Sequence, residues 1–389
     1  MIGLIIFFSA TQLGLHFWPL STLVYGIRID YLAPTIYLLD LLIVGYLIAR
    51  KCFFTNTTPV NISLIYPILL VNLLYSQNPL ATLSWSLHFF LYYLFLISLR
   101  SAHKFVIRFA LALSLLFESI LSLLQIYLGH SLGGLLYYLG ERNISVGSPN
   151  IALGTFMDHV VLRAYGTLSH PNILAGYAVI SFLIILKINK SKILLPLLST
   201  TLLVLLTQSR AAAIALFGII IPFSLIKNLK LRAAYLIILM IVVFRFGVMT
   251  PSRSDLSFVE RLNLQQVSLS AIAKYPLFGT GAQSSISTYP SVVPSFRLLQ
   301  PDHNSFTLFL SWFGIFGVLA TLYILRSQFE NLRIYDLKFV VPLLPLLLLD
   351  HYLLTSPQGV LILLLYFAVA VNYSHVQKNR EQHPRPTRR

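Results

Sequence analysis

Twelve apolar stretches, each near the length that crosses a bilayer, follow one another along this chain. They fall at about 1–18, 33–49, 60–76, 79–98, 105–129, 168–186, 193–208, 211–226, 231–249, 304–325, 338–353 and 358–373. About 20 apolar residues span the hydrocarbon core as a helix. A sheet edge has no hydrogen-bond partner in lipid, so each span must be helical. Composition agrees: of 389 residues, 57% are hydrophobic and 10% charged, with mean hydropathy +0.79, against about 25% charged in a soluble domain. The sequence predicts an all-α polytopic membrane protein of about 12 transmembrane helices, a single domain over 1–373. A short basic cytoplasmic tail without regular structure, 374–389, is expected to follow. Residues 1–18 lack a basic start and a small-residue cleavage site and read as a retained first span. One cysteine, Cys52, excludes an internal disulfide framework.

The charges give an independent check on this order. With the N-terminus in the cytoplasm, the inner loops and tail hold 19 of the 28 basic residues, ten arginines and nine lysines, as the positive-inside rule requires. Most of the +16 net charge is thereby a topology signal, and no nucleic-acid partner is expected. The nine left outside are Arg28, Arg142, Arg163, Arg210, Arg245, Arg253, Arg261, Lys274 and Arg297. Eight of these nine are arginine. Arginine keeps its charge when partly buried and presents a planar fork of donors that matches phosphate oxygens. Singly, each serves as well to grip a headgroup or pair an acid; as a set they point to a polyanionic substrate on the outer face.

Two predicted outer segments exceed a connector's length: about 130–167, and 250–303. In the second, Phe258, Leu262, Leu269 and Ile272 recur at helical spacing. Pro276 then ends the pattern and Gly279-Thr280-Gly281 makes a turn. This predicts a short amphipathic helix on the outer surface, capping a cavity. The loop ends at Asp302-His303-Asn304, polar groups at the mouth of an apolar segment, where they are costly to bury and easy to use.

Four patterns in order carry a family resemblance. They are Ser169-His170-Pro171-Asn172-Ile173-Leu174-Ala175, then Gln208-Ser209-Arg210-Ala211-Ala212, then Glu260-Arg261 leading to Tyr275-Pro276-Leu277-Phe278-Gly279-Thr280-Gly281, and last His303-Asn304 with Gly314 and Gly317. From about Leu168 to Gly317 the chain resembles the O-antigen ligase and polymerase superfamily, integral membrane glycosyltransferases of a GT-C type fold; the first half is similar only in consisting of spans. The resemblance implies transfer of a glycan from an undecaprenyl-diphosphate carrier to an acceptor hydroxyl, lipid or glycan, on the outer face of the cytoplasmic membrane. It implies that Arg210 and Arg261 hold the diphosphate and that His303 activates the acceptor. Arg163, Asn304, His170 and Asp302 complete the expected substrate contacts. Family loops often carry a tryptophan shortly after the loop arginine. Here the stretch reads Leu262-Asn263-Leu264-Gln265.

The chemistry is consistent with this on its own terms. Cleaving a sugar–diphosphate bond sheds negative charge, which a metal or fixed cations must stabilise. The expected outer face offers Asp30, Glu141, Asp158, Asp255, Glu260, Asp302 and Asp350, with no Asp-x-Asp pair. The reaction is therefore expected to need no metal and no cofactor, with arginine in the metal's place. A histidine's ordinary pKa, about 6.5, suits it to general base work; nearby arginines are expected to push that of His303 down and keep the ring neutral, with Asp302 at hand either to offset this or to orient the ring. The opposed reading is that His303 and Asn304 only cap a span. Gly314 and Gly317, one turn apart, are expected to permit close helix packing. His170 opens a span or lines the cavity; Asp350-His351 bind substrate or form a satisfied interfacial pair. Asp40 and Glu118, inside spans, are functional candidates or are satisfied by Tyr and Ser neighbours. Two other function classes stay open: a transporter of a polyanionic or lipid-linked substrate, and a carrier-binding receptor.

Overall fold

The computed structural model describes residues 1–50, 62–99, 103–149, 151–156, 159–189, 191–220, 256–291, 298–329 and 340–382. The span expected at 231–249 lies outside these residues, as do Asp158, Arg245, Arg253, Asp255 and Arg297. Among the described residues four helices are long and apolar enough to cross a membrane: Pro79–Ser98, Lys104–Leu128, Pro171–Ile188 and Ser305–Ile324. Shorter apolar helices run over Ile65–Leu74, Leu194–Thr207, Arg210–Ile220 and Pro357–Val369.

Several expected spans take a different form. The first is not a continuous helix: Ile2–Phe7 and a 3-10 turn to Ala10 are followed by strand Gly14–His16, which pairs antiparallel with Thr35–Tyr37. The span expected from residue 33 therefore becomes helical only at Leu38–Arg50. Two further ribbons join Leu23–Val24 to Ile27–Arg28 and Leu153–Phe156 to His159–Leu162, so the mostly helical fold also carries small strands. The segment expected as span 338–353 is broken. A helix over Leu344–Leu349 stops at extended Asp350, and a short turn of helix, Tyr352–Thr355, follows. The last helix continues from Pro357 to Gln382, so residues 374–382 of the expected tail are helical; 383–389 lie outside the description.

Pro171–Ile188 is the middle of the bundle, apolar and buried on every side from Leu174 to Leu186; a helix apolar all round needs such surroundings. The Lys104–Leu128 helix instead turns Phe105, Phe109, Ile120 and Leu124 outward, a face suited to lipid. Its buried Glu118 accepts from the Thr167 N–H at 2.9 Å and the Thr167 hydroxyl at 2.6 Å. Asp40 accepts from the Tyr37 N–H (2.8 Å) and the Tyr92 hydroxyl (2.8 Å) and pairs with His88 Nε2 (3.0 Å). Both acids are satisfied by neighbours, as buried polar groups must be.

The long loop is held by backbone. Helix Leu256–Lys274 is where periodicity put it, but with another face inward: Leu264, Val267 and Ala271 are buried, whereas Leu262 and Leu269 are exposed. Residues 264, 267 and 271 repeat at helical spacing as well, and periodicity alone does not choose between two apolar faces. The Ser305–Phe329 helix breaks at Gly314 (φ 62°, ψ −173°). Into this break the segment after Lys274 inserts. Thr280 and Gly281 N–H groups donate to Ser311 O (2.9 Å) and Trp312 O (3.0 Å), and Ile315 and Phe316 N–H groups donate to Pro276 O (2.9 Å) and Leu277 O (3.0 Å). Asn72 adds a clamp, donating to Trp312 O at 2.7 Å and accepting from Ala282 N at 2.8 Å. An interrupted helix is tolerated within a bundle when protein satisfies the freed groups. Gly314 is thus a break point rather than a packing notch; a Cβ there would lie 2.4 Å from Leu277 O. The clamp ties the helix of Arg261 to the helix that starts beside His303.

Candidate active site

The SHPN and QSR patterns are helix boundaries. His170 is the N-cap of Pro171–Ile188: its Nδ1 accepts from Asn172 N at 3.2 Å, and Pro171 takes the first helical position, where a missing N–H costs nothing. Gln208, at φ 50°, ends Leu194–Thr207 in the left-handed conformation, and Arg210 starts the next helix. Arg163 follows strand His159–Leu162. Its Nε donates to Thr207 O at 2.7 Å and its Nη2 to Asn172 Oδ1 at 2.8 Å. Asn172 uses its other side-chain end on Asp350, donating from Nδ2 to Oδ2 at 2.9 Å.

Asp350 is the centre of the cluster. Its Oδ1 accepts from the His351 N–H at 2.9 Å and lies 3.7 Å from His303 Nδ1. That separation is an ion-pair contact, too long for a hydrogen bond, and the buried Nδ1 makes no hydrogen bond to any described residue. The Ser305 hydroxyl donates to Asp350 O at 2.7 Å, and Arg261 Nη1 donates to Leu349 O at 3.1 Å. The ring of His303 lies 5.0 Å from that of His351, which meets Tyr31 edge-on at 5.6 Å.

Electrostatics follow from this crowding. Burial would raise the Asp350 carboxyl, but contact with His303 and the nearness of His351 and His170 outweigh it and hold the group well below the carboxylate range. Burial pushes His170 down to about 4; Asp350 opposes, while Arg163, His303 and Arg261 add to the shift. Burial, then His303, push His351 down to about 3 against Asp350. Burial raises the Tyr31 phenol, helped by Asp350 and Asp30. Arg163 is lowered by burial and then by Arg261 and Arg210, against Tyr165 and Asp350, yet an arginine stays charged. Arg261 and Arg210 are therefore each within electrostatic reach of Arg163, and Arg163 and Arg261 lie close enough to His170 to act on it beside Asp350. Helices begin here at Pro171, Arg210 and Ser305, and their N-terminal partial positive charge adds to an anion-attracting field.

Not every expected contact points at substrate. Asp302 is buried and serves the start of the Ser305–Phe329 helix: Oδ1 accepts from Asn304 N at 3.1 Å and Oδ2 accepts from the Thr307 hydroxyl. Asn304 Oδ1 accepts from Phe306 N at 2.9 Å. Both side chains work as helix caps, and the carboxylate facing His303 is Asp350. Sequence reasoning gave Asn172 no role, though it stands inside a quoted motif, and left Asp350-His351 between two readings. The available signal was two adjacent ionisable residues interrupting an apolar segment.

The cluster also offers a possible metal set, since one ligand atom each from His303, Asp350 and His351 lie within 4.8 Å of one another. Residues 193–325 match the protein family described as O-Antigen ligase. That stretch holds Arg210, Arg261, Asp302, His303 and Asn304, and ends before Asp350 and His351. No curated protein matches the chain.

Proposed function

We propose, from the match of residues 193–325 to the O-antigen ligase family, that this chain is a member of the O-antigen ligase and polymerase superfamily and a membrane glycosyltransferase using a lipid-diphosphate-linked glycan as donor. The acceptor is a hydroxyl of a lipid or glycan, met on the outer face of the cytoplasmic membrane. Undecaprenyl diphosphate is the carrier this reading expects. Ligase and polymerase differ only in the acceptor, and the reading covers both.

The observation that carries it is the junction of His303 with Asp350 at 3.7 Å, next to the guanidinium of Arg261. In the proposed step Asp350 faces Nδ1 of His303 and favours the proton there, which leaves the Nε2 lone pair as base. Nε2 takes the acceptor's O–H proton. The acceptor oxygen forms the new bond to the anomeric carbon while that carbon's bond to the diphosphate oxygen breaks, with inversion. The diphosphate leaves with the electron pair, and Arg210, Arg261 and Arg163 stabilise the developing charge. General base work of this type contributes about 10²–10⁴ in rate. No metal has a part in this step.

The test is reconstitution of the full chain in vesicles with a lipid-diphosphate-linked oligosaccharide and a candidate acceptor, with no ion gradient. Release of free carrier together with an extended acceptor, abolished in His303→Ala while donor binding persists, is the expected result. Movement of intact donor between leaflets would instead identify a transporter. Full turnover by His303→Ala would remove that residue from the mechanism.

A further inference from the structure

His351 has no part in the proposed transfer, although its buried imidazole shares a pocket with His303 and Asp350. We propose that His303, Asp350 and His351 bind a single divalent transition-metal ion of the zinc, cobalt or nickel class, and that the bound ion blocks transfer. The three ligand atoms are already within 4.8 Å of one another. Two imidazole nitrogens and one carboxylate suit these borderline ions, whereas magnesium and calcium take oxygen.

Surrounding hydrogen bonds prepare the ligands. The Thr355 hydroxyl donates to His351 O at 3.3 Å and lies 2.8 Å from His351 Nδ1. With its proton so directed, the hydroxyl oxygen accepts from Nδ1–H, and the lone pair of His351 is left on Nε2. Such outer partners fix the tautomer of metal-binding histidines. Asp350 is oriented in the same way by Asn172 and by the His351 N–H. His303 Nδ1 is buried, faces Asp350 and makes no hydrogen bond to any described residue, so an ion would supply the partner it lacks. Bonds of about 2.0–2.1 Å set tetrahedral ligand atoms roughly 3.3 Å apart. Closing from separations of at most 4.8 Å takes no more than about 1.5 Å, within reach of a rotation of the His303 ring. Arg163 and Arg261 oppose a dication here, so the site is weaker than an enclosed structural zinc site and fills only when metal is in excess.

The block follows from proton placement and rests on His303 acting as base. A neutral imidazole coordinated through Nδ1 carries its proton on Nε2, where the acceptor's proton would have to go. Binding itself does not rest on that reading, and the two are read separately.

The experiment uses the full chain in detergent, stripped with a chelator and titrated with cobalt(II) alone. Saturable visible absorption at one cobalt per chain, displaced by zinc, is expected. It should be lost in His303→Ala and in His351→Ala, and Thr355→Val, which alters only the outer partner, should weaken binding about 10–100-fold. Absence of one-to-one cobalt binding by the parent, an unchanged spectrum in His351→Ala, or an unchanged cobalt affinity in Thr355→Val protein that melts like the parent, overturns the site. In the transfer assay zinc should inhibit the parent reversibly, and His351→Ala should resist it. Saturated binding without inhibition overturns the block, and with it the use of Nε2 as base, while leaving the metal site in place.

Discussion

Replacing Asp350 by asparagine keeps size and shape and removes one charge. The amide nitrogen has two places to go. At the Oδ1 position it meets the His351 N–H, now 2.9 Å from an oxygen, and it sets an N–H 3.7 Å from His303 Nδ1, which disfavours a proton on that nitrogen. At the Oδ2 position it meets Asn172 Nδ2, now at 2.9 Å. Asn172 relieves that clash only by turning its own amide, which takes the acceptor away from Arg163 Nη2 at 2.8 Å. Either arrangement leaves a buried donor against a donor, at about 1–3 kcal/mol of stability. The rate effect is separate. Unit charges 3.7 Å apart interact by about 4.5 kcal/mol at an effective dielectric of 20, and the 19% exposure of the His303 side chain trims this. A loss of about 3–4 kcal/mol of stabilisation of the protonated base is about 10²–10³ in rate. Initial rates in nanodiscs over a range of donor should therefore show kcat down by that factor, with donor KM close to the parent's and a somewhat lower melting temperature. A folded Asp350→Asn protein with kcat within about threefold of the parent would refute the coupling of this carboxylate to His303.

Three further outcomes are expected. Gly314→Ala forces a side chain onto φ 62° with its Cβ 2.4 Å from Leu277 O and 2.5 Å from Gly279 N. Neither contact rotates away, and a loss of roughly 2–3 kcal/mol should appear as a lower melting temperature. Gly317→Ala also brings its Cβ to 2.4 Å from Phe313 Cβ but is not at positive φ, so it should destabilise by less, and an unchanged melting temperature in Gly314→Ala would count against the loop clamp. For His170, the folded pKa of about 4 lies below the ordinary 6.5, so the unfolded chain takes up a proton that the folded chain refuses. The contribution is fully present above about pH 6.5 and is lost as pH falls towards 4, by at most about 3 kcal/mol. His170→Asn, which keeps a capping oxygen, should flatten melting temperature against pH between 7 and 5; an unchanged slope would assign the loss to other groups, His351 first. Arg261→Lys loses the fork but keeps a charge. Donor KM should rise about 10–100-fold, the worth of one or two charge-assisted hydrogen bonds, with acceptor KM unmoved. A change confined to acceptor KM would reverse the assignment.

Much of this molecule could be read before any coordinates. A chain with so few charges and so many apolar stretches has to pair its backbone within helices, because lipid offers no substitute, and the spans from Pro79 to Leu128 and from Pro171 to Thr207 follow from that alone. His170-Pro171 was legible as a helix start because capping is a local effect, whereas the left-handed turn at Gln208 came from the structure. Folding back was not legible. Residues 14–16 pair with 35–37, which apolarity does not reveal, and Gly314 opens its helix only because the 276–281 segment arrives to use the freed groups. Local chemistry also pointed to the wrong carboxylate for His303: Asp302 is its neighbour in sequence, but the helix start takes that carboxylate for its own N–H and hydroxyl donors. Asp350, 47 positions further along (350 − 303), comes to His303 through Asn172 and Ser305. Membrane class, helix ends and the types of reacting group are set by residues a few positions apart, through hydrogen bonding and transfer from water. Which acid faces which base depends on contacts between remote segments, and those arise only when the helices pack.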